Sequence, residues 1–254
     1  MSLNPVSTEP SLEPSSDPSL ESSLTPSKSM EPSSIPSTIL IWVNLTSLEQ
    51  YKELPDTAET LDFDDDEVTS IVLGFDYNWF GETVTEVCLS SNGQINMGET
   101  CDNSWMSKSI GSYDGKRIAF VQADLYPPGG GTVQYFVNSS PASLKVSFED
   151  VKFYDGDEGG IGSVQSQVEL FANGDIIFCY GEGEMVYGDS FAAGVEDSRC
   201  HVAYPIPDAP FNGEGITYAW PLNTCWKFHM PAECPSMAPS LSSKPTVSFN
   251  VTII

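Results

Sequence analysis

The sequence predicts an all-β domain, an antiparallel β-sandwich of jelly-roll-like kind, set between Ser/Pro-rich flanks. Three observations carry that prediction. Apolar and polar residues alternate at period two through the middle of the chain. Turn signals punctuate the alternating runs, and no stretch sustains helical spacing.

Residues 1–38 contain no Phe, Trp or Tyr, and Ser and Pro supply more than half of them. Pro10, Pro14, Pro18 and Pro26 share a four-residue register, which Pro32 and Pro36 resume after a slip. Each proline removes a backbone donor and biases its predecessor away from the helix. So little apolar mass does not offset an ordering cost of ~1–2 kcal/mol per residue. An extended, disordered stalk is expected, acting as a tether and similar in composition to O-glycosylated stalks.

Residues 39–230 form the expected β-sandwich domain. Thr38–Thr46 opens it as an apolar strand. Thr83–Ser90, Gln94–Met97, Arg117–Val121 and Thr132–Val137 follow as strands. In the next two, Leu144, Val146 and Phe148, then Val164, Val168 and Leu170, fall on one face. Polar Ser143, Lys145 and Ser147, then Ser163, Gln165, Gln167 and Glu169, fall on the other. A sheet with one buried face and one wet face is implied. Asp175–Tyr180, Phe191–Val195 and Gly215–Trp220 complete the set. Asn92-Gly93 and Asn173-Gly174 mark tight turns, where a positive φ is needed. Residues 231–254 return to the linker composition through Pro235, Pro239 and Pro245. Thr246–Ile254 then turns apolar and β-branched, like Thr38–Thr46, as the start of a further module would.

Charge excludes several functions. The 254 residues carry 36 acids against 10 Lys plus Arg, a formal net charge of -26. Such a polyanion has no long-range attraction for nucleic acid or anionic headgroups. No apolar run approaches the ~20 residues of a membrane span, so direct membrane insertion of this chain is not expected. Met1–Pro5 has neither basic start nor apolar stretch, so no signal peptide is visible, and the chain is expected to be a fragment of a longer precursor.

Six cysteines, Cys88, Cys101, Cys179, Cys200, Cys225 and Cys234, include no C-x-x-C pair and accompany only two histidines. Disulfides fit this pattern better than zinc, and nearest-neighbour pairing is attractive, though spacing alone does not fix it. Asn44, Asn138 and Asn250 stand in glycosylation sequons. Together these features predict an oxidising, secretory route to the extracellular space, cell surface or cell wall. Asp155, Asp157 and Glu158, in a Gly-containing loop, are candidate calcium ligands, with a solvated acidic loop as the alternative. Asp62–Glu67 is weighed the same way. G-x-S-x-G is absent, and His201 and His229 read as structural, so no catalytic residue is expected.

Four blocks resemble nidogen-type (NIDO-like) extracellular β modules. They are Leu73–Thr83 with Val87–Ile95, Arg117–Pro127, Val168–Gly181 and Ala193–Asp197. The P-S-x-x repeats separately resemble linkers of secreted and cell-wall-associated diatom proteins. The resemblance implies a non-catalytic binding or structural module of a surface or matrix protein, engaging an extracellular protein or glycan. The alternatives are an accessory domain of a secreted hydrolase and a calcium-dependent carbohydrate-binding module.

Overall fold

Fifteen strands, numbered in chain order, and one 3-10 turn (Pro127–Gly129) form among the residues that this computed structural model describes. Those residues are 41–45, 51–98, 101–156, 160–185, 190–207 and 210–235. The expected stalk, the strand-like Thr246–Ile254 and the sequon at Asn250 lie outside them.

The first sheet runs β1 (Trp42–Leu45), β15 (Thr224–Phe228), β11 (Ile176–Tyr180), β10 (Ile161–Phe171), β9 (Ala142–Phe153), β8 (Thr132–Ser139) and β2 (Glu59–Leu61). Beside β9 also lies the short β7 (Leu125–Tyr126). The second sheet runs β13 (Val202–Pro205), β12 (Phe191–Asp197), β6 (Lys116–Gln122), β5 (Gln94–Met97), β4 (Glu82–Ser90) and β3 (Val68–Trp79). The two-residue β14 (Ile216–Thr217) pairs with β12. All these pairings are antiparallel, and the sheets pack as an open sandwich, the class that the alternation predicts.

Register explains the core. Leu144, Leu170, Ile176, Phe228 and Trp42 form one rung across five strands, and Val146, Val168, Phe178 and Trp226 form the next. Each is buried, which stabilises by about 1.5–3 kcal/mol for a fully buried large apolar side chain. The second sheet answers with Ile71, Leu73, Val87, Leu89, Ile95, Ile118, Phe120 and Val195. Phe120 meets Phe148 edge-on with ring centroids 5.2 Å apart, and the buried Tyr180 hydroxyl donates to the Phe120 carbonyl at 2.6 Å. These contacts join the two sheets.

Several elements differ from expectation, among them the short strands β2, β7 and β13, which no alternating run marks. The run Gly215–Trp220 pairs only at Ile216–Thr217, because the Thr217 hydroxyl accepts from Ala219 and turns the chain, and Pro221 offers no donor. The following strand β15 goes unannounced in the sequence, and β9 extends five residues past Phe148 to Phe153.

The cysteines pair as Cys88–Cys101, Cys179–Cys225 and Cys200–Cys234. Nearest-neighbour pairing therefore holds for the first pair and fails for the other two. Cys179 and Cys225 are 46 residues apart in sequence yet stand directly opposite on β11 and β15, with Cα atoms 4.2 Å apart. Cys200, in the turn after β12, ties down the segment that follows β15 through Cys234.

Candidate functional site

On the outer face of the second sheet the residues that alternation leaves polar are buried along β5, β6 and β12. Cys88, Asn96, Arg117 and Glu196 occupy a single rung through β4, β5, β6 and β12. Gln94 stands opposite Ala119 in the next rung. The segment 101–115 lies over them, fastened to β4 by the Cys88–Cys101 disulfide.

Side chains of the sheet hold this loop by its backbone. Arg117 is fully buried and ion-paired through Nε to Glu196, itself buried. Its Nη1 donates to Gln122 Oε1 at 2.6 Å, and its Nη2 donates to the Lys108 carbonyl at 3.2 Å. Glu196 accepts from the backbone N–H of Gly111, and Tyr113 lays its ring 4.8 Å from the guanidinium carbon. Gln122 Nε2 donates to the carbonyls of Ser104 and Met106, and Gln94 Nε2 to that of Asp102. Asn96 accepts from the Asp102 N–H at 3.1 Å and donates to the Tyr113 hydroxyl at the same distance. Below the loop, Ile110 packs on Ala119 and Ala192, the apolar patch of this face.

Electrostatics follow from the burial. Desolvation pulls the Arg117 pKa down, and Glu196 beside it opposes that shift. The Tyr113 hydroxyl is pushed up to about 12, first by burial and then by Asp102. A buried ion pair that satisfies its remaining donors in this way holds geometry more than it adds stability.

At one end the loop meets the acidic turn before β3. Asn103 donates through Nδ2 to the Asp66 carbonyl at 2.7 Å, and Asn92 Nδ2 donates to both Asp66 Oδ1 and the Asn103 carbonyl. Asn92 also accepts from the Leu125 N–H at 2.9 Å. Carboxylate oxygens of Asp65, Asp66 and Asp124 come within 4.8 Å of one another there. Burial and then Asp66 raise the pKa of Asp65. Three oxygens fall well short of the about six to eight that calcium takes. On the other side of the same turn, Asp62, Phe63 and Asp64 line a cleft of about 410 Å³ with Pro127, Pro128 and Val133.

The remaining sequence candidates lie elsewhere. Asp155 is exposed, and its partners Asp157 and Glu158 fall outside the described residues. Asn44 is exposed on β1, while Asn138 is half-buried on β8 and accepts from the Ser140 N–H. His201 sits exposed in a turn with φ 51°, and His229 binds Asp175 at 2.9 Å. The buried seat of Gln94, Asn96, Arg117, Gln122 and Glu196 is what alternation misses. A single arginine entering the apolar run Ile118–Val121 is the signal that could have found it.

Residues 43–207 match the family described as NIDO related. The chain belongs to the NIDO-related family. The matched span begins in β1 and ends past β13, so it covers the acidic turn, the covering loop and its polar seat. The four resembling blocks all lie within it, and they contribute to β3, β4, β5, β6, β7, β10, β11 and β12 with their turns. No curated protein and no solved structure matches the chain.

Proposed function

We propose that this NIDO-related domain is a non-catalytic extracellular binding module of a cell-surface or matrix protein, carried between Ser/Pro-rich tethers. The observation that supports it best is the covering loop. A disulfide and a fully buried polar seat hold 101–115 against the outer face of the second sheet. Loops fixed on a rigid sandwich are where binding residues concentrate. Three disulfides suit an oxidising compartment, in which such bonds persist. Exposed Asn44 on the first strand suits a glycan acceptor better than half-buried Asn138.

The test uses the fluorescently labelled full chain, made through a secretory route, on intact cells and shed extracellular material of the producing organism. Saturable binding, competed by unlabelled chain, supports the reading. Binding no greater than to albumin-coated surfaces overturns it.

A further inference from the structure

The loop that the sheet holds so firmly carries two large apolar side chains to solvent. Trp105 is 50 % exposed and Met106 49 % exposed. Their backbone is not free: Gln122 binds the carbonyls on either side of Trp105, at Ser104 and Met106. The next residue, Ser107, donates to the carbonyls of Gln122 and Ser190. Loop conformation is thus fixed by buried groups while about half of each of these two side chains stays in solvent. An apolar pair so presented loses little conformational freedom when covered, and Trp supplies the contact type that dominates interface energies. Methionine beside it adapts its shape to the partner.

Charge around the pair is predominantly acidic, with Lys108 the one base in the covering loop. Asp102 lies on the same loop, and Asp65, Asp66 and Glu67 stand in the turn bonded to Asn103. We propose that Trp105 and Met106 form the anchor of a docking surface for a cationic protein segment, one that offers an apolar socket flanked by Lys or Arg. The charge complementarity selects that occupant; a second copy of this chain, at net charge -26, would bring acids against acids. This inference rests on the binding-module reading and names the surface and its partner chemistry.

The experiment immobilises the full chain and measures binding of three synthetic peptides: alternating Lys/Leu, the same with Glu for Lys, and the same with Ser for Leu. The Lys/Leu peptide should bind most tightly. Its affinity should fall at least tenfold in Trp105→Ala/Met106→Ala and stay within twofold in Phe136→Ala, which removes a partly exposed aromatic side chain from β8 of the first sheet. Asp65→Asn/Glu67→Gln should weaken it severalfold and reduce its salt dependence. An unchanged melting temperature in the Trp105/Met106 variant shows that the fold is intact. Equal binding of the Lys/Ser peptide, or no loss in the Trp105/Met106 variant, would reduce the effect to bulk charge and overturn the inference. Equal binding of the Glu/Leu peptide would overturn the cationic choice. Chain that binds extracellular material equally well with and without Trp105 and Met106 would refute this surface while leaving the binding module standing. Peptide binding without any binding to that material would refute the module instead.

Discussion

Replacing Arg117 by Met should cost about 3–5 kcal/mol, the range for breaking a buried ion pair by removing one partner. The structure places the loss at the high end of single substitutions. Glu196 would stay buried with only backbone N–H partners, and the oxygens of Gln122 and Lys108 would lose their donors. Urea denaturation followed by circular dichroism reads the loss. Arg117→Met/Glu196→Gln removes the uncompensated charge while keeping acceptors for the loop N–H groups, so it should recover at least ~1 kcal/mol of the single-variant loss. Trypsin supplies a second readout, because Lys108 sits in the covering loop with its carbonyl bound by Arg117. Cleavage after Lys108 should be slow in the native chain and many times faster in Arg117→Met under conditions where the sandwich stays folded. A loss below 1 kcal/mol, with Lys108 equally protected in both proteins, would refute the reasoning.

Removing the Cys88–Cys101 disulfide as a Ser/Ser variant should destabilise by about 3 kcal/mol, as expected for closing a loop of its 13-residue separation. Removing Cys179–Cys225, with a sequence separation of 46, should cost about 4 kcal/mol, and thermal melts without reductant compare the two. Gly93→Ala should cost more than ~1 kcal/mol in urea titration, since φ is 71° and a Cβ would stand 2.6 Å from the Val121 carbonyl oxygen. Acid should unfold the domain through Asp197. Burial alone would raise its pKa, yet Arg199 and Trp79, whose indole donates at 2.8 Å, hold it low. A carboxylate with a depressed folded-state pKa stabilises above its unfolded value near ~3.9, and that stability is lost as pH falls through the folded value. Asp197→Asn should therefore flatten the stability profile below pH ~4, and an unchanged slope in pH-dependent urea titrations would exclude this role.

The sandwich was legible because its inner rungs are apolar at period two. Val164, Val168 and Leu170 stand in the sequence as they stand in the core. The same rule misread the other side. Gln94 and Asn96 look like solvent-facing alternates, yet both are buried under a loop whose sequence, rich in Ser and Asp, has no periodicity to declare where it lies. Gln167 is buried likewise, exchanging hydrogen bonds with the backbone of Lys52 across the outer face of the first sheet. Binary patterning reports which face meets the other sheet, and it is silent about coil laid over the second face. Cysteine pairing failed for a related reason: in a sandwich, strands distant in sequence lie side by side, as β11 and β15 do. Trp105 and Met106 were unreadable too, since exposure of an aromatic residue is a property of its surroundings.

Amide hydrogen exchange of the native chain tests the central claim most directly. If the polar seat holds 101–115 in one conformation, the N–H groups of Asp102, Ile110 and Gly111, bonded to Asn96, Glu214 and Glu196, should be protected well beyond an ordinary surface loop. Arg117→Met should release them before the core amides of β6. Exchange of those three amides at the rate of free coil, in the native chain, would contradict a fixed loop and the binding surface built on it.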